Sequence, residues 1–150
     1  MIIERMIMSK YKSKKVTIDR ITFDSKDESL YYLYLKERKE KGEIRDFGLQ
    51  EKFVLQDSFI KDGKKYRAIT YTPDFAIFHN DGSVEYVDVK SLGTATQQGE
   101  LRRKMWDFRY RDKRLTWICR NLKHATIDGQ WIVYEDLKTI YRKNKKAKAI

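Results

Sequence analysis

Two runs of β-forming residues in the middle of the chain predict a pair of neighbouring strands. Residues 67–78 and 84–90 are rich in Ile, Val, Tyr and Phe, which favour extended backbone. Residues 80–83 between them read Asn-Asp-Gly-Ser, and such residues accept the positive φ angles of a hairpin turn. The pattern therefore predicts an antiparallel pair with Asp74 on one strand and Asp88 on the other.

Apolar residues spaced three and four apart predict three helices. The first covers residues 25–41 and ends at Gly42, because glycine favours the left-handed backbone that closes a helix. The second covers residues 97–111, and the third covers residues 135–143. The apolar stripe of the second helix consists of Leu101, Met105 and Phe108.

Shorter segments complete the predicted order. They are a hairpin around Asp19-Arg20, a strand with one irregularity over residues 44–55, a hairpin tip at 61–65, a buried strand at 115–120, and a short strand or helix entry at 131–134. Gln50 and Lys52 are interpreted as ordinary surface positions of the 44–55 strand. Pro73 cannot donate to a strand ladder, so it should lie at a strand end or a bulge. The order helix, strand, hairpin strands, helix, strand predicts an α/β (α+β) fold with a mixed sheet.

Charge narrows the choice of partner. The chain carries 33 Lys and Arg against 22 Asp and Glu, a net charge of +11 over 150 residues. Such a surplus indicates a polyanionic partner, with nucleic acid ahead of an acidic membrane surface. The length predicts one domain over residues 1–150. No apolar run approaches the roughly 18 residues of a membrane span, and charge interrupts residues 1–5 too early for a signal peptide.

The few cysteines and histidines limit other chemistry. Cys119 is the only cysteine, so an internal disulfide is excluded, which fits a reducing, cytoplasmic setting. Its apolar neighbours predict a small buried residue. His79 and His124 are far apart in the sequence, so a structural zinc site is not expected.

Lysine and arginine are concentrated in a basic N-terminal arm at about residues 1–15, in the second helix, and in a tail at about residues 142–150. The arm is either a frayed terminus or a DNA-binding arm. For the helix we favour a phosphate-binding face over a merely solvated one. The tail is predicted to be mobile and to add to DNA attraction. The candidate DNA-binding residues are Lys12, Lys14, Lys15, Arg102, Arg103, Lys104 and Arg109.

Two acids and a lysine on the central strand pair point to chemistry. Because side chains alternate along a strand, Asp88 and Lys90 lie on the same face. Charged groups at the ends of buried strands are unfavourable when they have no partner. A divalent cation would balance Asp74 and Asp88, and the lysine beside them would then have a role in catalysis.

Glu28 in the first helix has two interpretations. Ser25-x-x-Glu28 matches a capping box, in which Glu28 returns a hydrogen bond to the Ser25 N–H. Alternatively, Glu28 is a third acid at the metal site. Helical spacing places it on one face with Tyr31, Tyr32 and Leu35, and part of that face must be core, so its side chain would point inward.

Pro73-Asp74 followed by Asp88-Val89-Lys90 resembles the signature of the PD-(D/E)xK nuclease superfamily. A longer match resembles the phage family DUF1064 and small Holliday junction resolvases; it runs through residues 23–28, 42–44, 49–53, 71–75 and 87–90. The resemblance covers most of the chain and implies a restriction-endonuclease-like core, α-β-β-β-α-β, with a mixed central sheet flanked by helices. The chain departs from the family pattern at Arg20 and Ser91, where glycine is usual, which leaves the loop geometry open.

The resemblance implies hydrolysis of DNA phosphodiester bonds with Mg²⁺, or with Mn²⁺ as a substitute. Asp74 and Asp88 would hold the metal together with the Val89 backbone carbonyl. Many members of the superfamily carry an acid on the first helix, and this favours Glu28 as a further ligand. Lys90 would orient the attacking water or stabilise the developing charge. The number of metal ions, one or two, stays open.

The resemblance also implies a homodimer that resolves four-way junctions in phage recombination, since a two-fold dimer matches two symmetric nicks. The chain has more aromatic residues than a small core needs, and some of them are therefore expected at the dimer interface. They include Tyr31, Tyr32, Tyr34, Trp106 and Tyr110. The alternatives are a non-catalytic DNA-binding module on the same fold and a nuclease for other DNA structures.

Overall fold

The computed structural model of the protein describes residues 14–149. Its helices are α1 (Lys26–Glu40), α2 (Gln97–Arg109) and α3 (Tyr134–Ala149). Its strands are β1 (Val16–Ile18), β2 (Ile21–Phe23), β3 (Asp46–Leu49), β4 (Phe53–Gln56), β5 (Phe59–Lys61), β6 (Lys64–Tyr66), β7 (Ile69–Tyr71), β8 (Phe75–Phe78), β9 (Val84–Val89), β10 (Arg114–Arg120) and β11 (Trp131–Val133). The predicted mixed α+β fold is confirmed. No helix within this range is long and apolar enough to cross a membrane.

A five-stranded mixed sheet, ordered β11-β10-β9-β8-β3, lies at the centre. The strands β3, β8 and β9 are antiparallel to one another, whereas β9 and β10 are parallel and are connected through α2. Phe75 pairs with Val87, and this register brings Asp74 and Asp88 next to each other. The predicted hairpin is thus present, and it occupies the middle of the sheet.

The alternation of side chains divides the core between the two faces of this sheet. Phe75 and Val87 face α1, which contributes Leu35 to the same cluster. Trp117 faces the opposite cluster, which contains Trp106 of α2 and residues of α3. Because side chains alternate along a strand, Asp74, Asp88 and Lys90 point to this second face of the sheet. Cys119 is buried there, as predicted.

Local backbone chemistry correctly predicted several turns. Gly82 has a φ of +90° in the β8–β9 turn, and Asp19 and Arg20 both have positive φ in the β1–β2 turn. Asp62 and Gly63 also have positive φ angles, at the tip of the β5–β6 hairpin. Pro73 lies in the break between β7 and β8, where it interrupts no ladder.

Two strand predictions were wrong in the same way, because each joined two strands into one. The segment 44–55 contains β3 and β4, which belong to different sheets. Gln50 has a φ of +47°, and this left-handed backbone breaks the strand, so Gln50 and Lys52 lie in a connection. The segment 67–78 likewise contains β7 and β8, separated around Pro73.

Only Met105 of the predicted apolar stripe of α2 packs against the core. Leu101 is 57% exposed and Phe108 is 73% exposed, whereas Trp106 is fully buried. The Trp106 Nε1–H donates to the Lys113 carbonyl at 2.9 Å, so burial leaves its polar atom satisfied. The tail prediction was also wrong, since α3 continues to Ala149.

The aromatic residues expected at a dimer interface instead pack inside the protein. Tyr31, Tyr32 and Trp106 are buried, and Tyr34 and Tyr110 are half-buried. Tyr31 contacts other core rings edge to face or tilted, and this arrangement accounts for much of the aromatic content. These residues therefore give no support to a dimer.

Candidate active site

Asp74 and Asp88 hold each other in place through backbone hydrogen bonds. The Asp74 N–H donates to Asp88 Oδ1 at 2.8 Å, and the Val89 N–H donates to Asp74 Oδ2 at 2.9 Å. Asp74 directly precedes β8 and Asp88 is the fifth residue of β9, so the antiparallel register creates this exchange. Both carboxylates are thus fixed by main-chain atoms rather than by mobile side chains.

Burial makes the ionised form of this pair unfavourable. Only 4% of the Asp88 surface is exposed, and burial raises the pKa of Asp88, partly offset by its hydrogen bond from Tyr71. Burial raises the pKa of Asp74 well above its usual range, and the nearby Asp88 and Glu28 carboxylates raise it further. Groups shifted in this way are enriched at functional sites.

Tyr71 and Trp117 form a supporting chain that sequence reasoning missed. The Tyr71 hydroxyl donates to Asp88 Oδ2, and the Trp117 Nε1–H donates to the Tyr71 oxygen at 2.9 Å. This chain fixes the remaining oxygen of Asp88. The β-forming character of Tyr71 was visible in the sequence, but its pairing with a residue 46 positions away was not.

Two cations lie over the ring of Trp117. Lys90 Nζ is 5.2 Å and the Arg103 guanidinium carbon 4.7 Å from the ring centroid, within the range of cation–π attraction. Arg103 is also paired with Glu135 of α3. Both cations partly offset the raised pKa of Asp88.

The structure shows the Ser25 half of the capping box predicted for Glu28, and the metal-ligand role of its carboxylate stays a prediction. The Glu28 backbone N–H donates to Ser25 Oγ at 3.1 Å, which is the N-cap bond of α1. Its carboxyl group has a raised pKa, first because of burial, then because of Asp24 and, more weakly, Asp88. Hydrogen bonds from the Asp24 backbone and the Ser25 side chain to the carboxylate partly offset this rise in the pKa.

A pocket of about 460 Å³ brings Glu28 together with Val89 and Lys90. Asp24 and Lys15 also line it. Asp24 was not recognised in the sequence, because an acid just before a helix N-cap is commonplace. The structure therefore places Glu28, Val89 and Lys90 around one opening, with buried Asp88 next to Val89 in the chain and half-buried Asp74 held by the Val89 N–H.

The predicted DNA-binding residues fall into two groups. Lys14, Lys15, Arg102 and Lys104 are exposed, whereas Lys12 lies outside the described residues. Arg103 is drawn inward by Trp117 and Glu135, which differs from the free basic face expected. Arg109 donates to the Leu55 carbonyl at 3.4 Å and lies 3.9 Å from Asp57.

The donor atoms suit a hard divalent cation. Mg²⁺ prefers oxygen ligands and usually keeps several waters, so two or three carboxylates suffice. Each carboxylate oxygen has two lone pairs, so an oxygen that accepts an N–H bond can also bind a cation. Between residues 14 and 149, no group of three or more His, Cys, Asp or Glu is placed to hold a metal ion. The residues thus fit Mg²⁺ by chemistry, with water completing its shell.

These features define an α+β protein in which a buried and a half-buried aspartate, both held by backbone hydrogen bonds, lie beside a lysine at the end of a mixed sheet. Residues 8–126 match the model of the family described as "Protein of unknown function (DUF1064)", and the protein belongs to that family. This confirms one part of the resemblance, while the relation to PD-(D/E)xK nucleases stays a hypothesis. No curated protein and no solved structure matches the chain.

Proposed function

We propose that the protein is a metal-dependent DNA endonuclease of the PD-(D/E)xK type. The observation that carries the proposal is the pair of half-buried Asp74 and buried Asp88, each of which accepts a backbone hydrogen bond beside Lys90. Two carboxylates so close in a buried place are unfavourable without a cation. Along the chain, the strands of the main sheet and the helices between them follow the order α1, β3, β8, β9, α2, β10. This order also agrees with the core expected for that superfamily.

Each residue has a role that follows from its surroundings. Asp74, Asp88 and Glu28 would hold Mg²⁺, with the Val89 carbonyl as a further oxygen donor. The bound ion would stabilise phosphate charge and lower the pKa of the attacking water. Lys90 lines the pocket, where its ammonium would donate hydrogen bonds to that water or to a phosphate oxygen.

Charge and shape favour DNA that is recognised through its backbone. The net charge is +11, and exposed Arg102 and Lys104 follow the site along α2. Such contacts position a protein on DNA without reading its sequence, so we propose branched DNA such as a four-way junction as substrate. The two-fold symmetry of that substrate is the remaining argument for the proposed homodimer.

The test is incubation of the purified protein with linear, nicked, flapped and four-way DNA in Mg²⁺, Mn²⁺, Ca²⁺ or EDTA. We expect cleavage with Mg²⁺ or Mn²⁺, binding with little turnover in Ca²⁺, and no cleavage in EDTA. Binding without cleavage under every condition would instead favour a non-catalytic DNA-binding module. Cleavage that persists in EDTA would exclude the metal-dependent mechanism.

A further inference from the structure

An apolar groove lies between residues 55–59, which end β4 and begin β5, and α2. Its volume is about 660 Å³, and Phe59 and Phe108 are among the residues that line it. Phe108 is 73% exposed and Phe59 is 41% exposed. Lys104 and Arg109 line the same groove. One of its lining residues is an acid, Asp57, which lies 3.9 Å from Arg109. Exposed aromatic rings beside cations indicate an interaction surface rather than an incomplete core.

The β5–β6 hairpin adds further positive charge. Every residue from Phe59 to Arg67 is exposed, and four of them are cations: Lys61, Lys64, Lys65 and Arg67. In the described part of the chain none of these four is within ion-pair distance of an acid. The rings of Phe59 and Tyr66 stack at 4.6 Å and 7°, which stiffens the ribbon that carries these charges.

This chemistry fits DNA better than a second copy of the chain. Aromatic side chains beside a cationic track bind single-stranded nucleic acid, because bases stack on the rings while lysines contact phosphates. A second copy docked on itself would bring the four hairpin cations of each subunit towards like charges, which is unfavourable. An intact duplex keeps its bases stacked inside, so only unpaired bases could enter the groove.

The groove and the candidate active site both involve residues of α2. Arg103 lies over Trp117, and Trp117 pairs with Asp88 across β9 and β10. Phe108 is five residues further along α2, an axial distance of about 7.5 Å at the helical rise. Phosphates of one strand in duplex DNA are about 3.4 Å apart along the axis. A strand in the site would therefore reach the groove within a few nucleotides.

We propose that the groove between residues 55–59 and α2 binds unpaired bases of the DNA strand, with Phe108 as the exposed stacking surface and Lys104, together with the lysines of the adjoining β5–β6 hairpin, as phosphate contacts. This inference rests on the proposed function in one respect, that the ligand is DNA. It adds a reason for selectivity, since gapped, flapped and branched DNA offer unpaired bases near the cut site whereas an intact duplex does not.

The test compares Phe108→Ala with two matched variants. Leu101→Ala removes another exposed apolar side chain of α2 that does not line the groove, and Phe108→Trp retains an aromatic surface. Fluorescence anisotropy in EDTA measures affinity for an intact duplex and for the same duplex with a short single-stranded gap. Phe108→Ala should weaken gapped-duplex binding about 5- to 150-fold and leave intact-duplex binding unchanged. Phe108→Trp and Leu101→Ala should bind both like the wild type.

A second measurement follows the bases directly. With 2-aminopurine in the gap, wild-type protein should change its fluorescence through stacking, and Phe108→Ala should abolish this change. Equal weakening on both DNAs, or an equal effect of Leu101→Ala, would overturn the inference. So would a Phe108→Ala variant that halves the particle mass in light scattering without changing affinity, because the groove would then join two subunits. Cleavage by the wild type is assayed separately from binding. Failure of the groove proposal would therefore appear in the binding data, and failure of the nuclease proposal would appear in the cleavage data.

Discussion

The hairpins β8–β9 and β5–β6 lie close together in the chain but use charge in opposite ways. The first lies in the middle of the main sheet and buries Asp88, with Asp74 just before its first strand. The second is exposed along its whole length and carries four cations. Main-chain hydrogen bonds fix the acids of the first, whereas the cations of the second extend into solvent.

This difference between the hairpins suggests that β8–β9 serves catalysis and β5–β6 serves DNA binding. Charges that are buried and held by the backbone are arranged before a ligand arrives, which favours catalysis. Charges that are exposed and mobile can neutralise the phosphates of a polyanion and release its counterions, which favours affinity. Substitutions in the first hairpin should therefore affect the cleavage rate, and those in the second should affect the dissociation constant.

The largest expected effect is on cleavage by the Asp88→Asn and Lys90→Ala variants. Each should slow single-turnover cleavage by at least about 100-fold, because each removes a group that holds the metal or stabilises the transition state. DNA affinity should stay close to wild type. Lys64→Ala with Lys65→Ala should show the reverse pattern, with weaker binding and an unchanged rate at saturation. A variant of either hairpin that changed both quantities alike would remove the distinction.

Glu28→Gln and Ser25→Ala separate the two roles at the start of α1. The Glu28→Gln variant keeps the backbone N–H that caps the helix, so stability should be retained while cleavage falls about 10- to 100-fold. Ser25→Ala should lower the free energy of unfolding by about 1 kcal/mol with little effect on cleavage. Thermal unfolding and single-turnover rates measure the two. Normal cleavage by a destabilised Glu28→Gln variant would leave only the capping role.

Tyr71→Phe removes the hydroxyl that orients Asp88 and accepts from Trp117. Support groups around metal ligands typically contribute 10- to 100-fold, so the Mg²⁺ concentration for half-maximal rate should rise about 10-fold. Tyr66→Phe on the exposed hairpin is the matched control and should behave as wild type. An unchanged Mg²⁺ requirement in Tyr71→Phe would show that the hydroxyl only stabilises the core.

Helix α2 also carries both kinds of charge: Arg103 contacts Trp117 and Glu135, whereas Arg102 and Lys104 are exposed. Arg103→Ala removes a cation–π interaction and a partly exposed ion pair, and should lower stability by about 1–2 kcal/mol. Arg102→Ala and Lys104→Ala should instead flatten the log–log salt dependence of duplex binding by about 0.9 for each phosphate that is no longer neutralised. Equal salt effects from all three variants would place Arg103 on the DNA surface after all.

The smallest expected effect concerns metal-free stability. Because the pKa of Asp74 is raised, its contribution is favourable below the unfolded value of about 3.9 and is lost as pH rises through the folded value. Ionised Asp74 therefore destabilises the metal-free protein at neutral pH. Asp74→Asn should melt higher in EDTA at pH 7, by about 2–4 °C for each kcal/mol gained, and the gain should shrink towards pH 4.

Asp81→Asn in the exposed turn is the control for this measurement. The Ser83 hydroxyl and N–H lower the pKa of Asp81, so its ionised form is the favoured one and the sign is reversed. This substitution should leave the melting temperature unchanged or lower it at pH 7. If Asp74→Asn also melted lower, burial of the aspartate pair would not oppose ionisation.

Local preferences explain which parts of the fold were predictable. The turns at Gly82 and Gly63 and the break at Pro73 depend on a few residues of backbone, and these predictions were confirmed. The buried face of α2 was not predictable, because Leu101 and Phe108 share helical spacing as regularly as Trp106 and its neighbours do. The sheet selects Trp106, whose large ring fills the space between β4 and β9.

The candidate site shows the same limit. Strand alternation was enough to place Asp88 and Lys90 on one face, and the hairpin turn brought Asp74 to them. The contacts of Tyr71 and Arg103 with Trp117 join elements far apart in the chain, and no local pattern encodes them. Sequence thus indicates the charged groups, and only the tertiary structure shows what holds them.

The central claim is that Asp74 and Asp88 form a metal site that cleaves DNA. The most direct test measures the single-turnover cleavage rate of a labelled four-way junction against Mg²⁺ concentration, for the wild type and for Asp88→Asn. We predict a saturable rise for the wild type, complete inhibition on addition of EDTA, and no detectable rise for Asp88→Asn. Equal rates for the two proteins, or a wild-type rate independent of Mg²⁺, would contradict the claim.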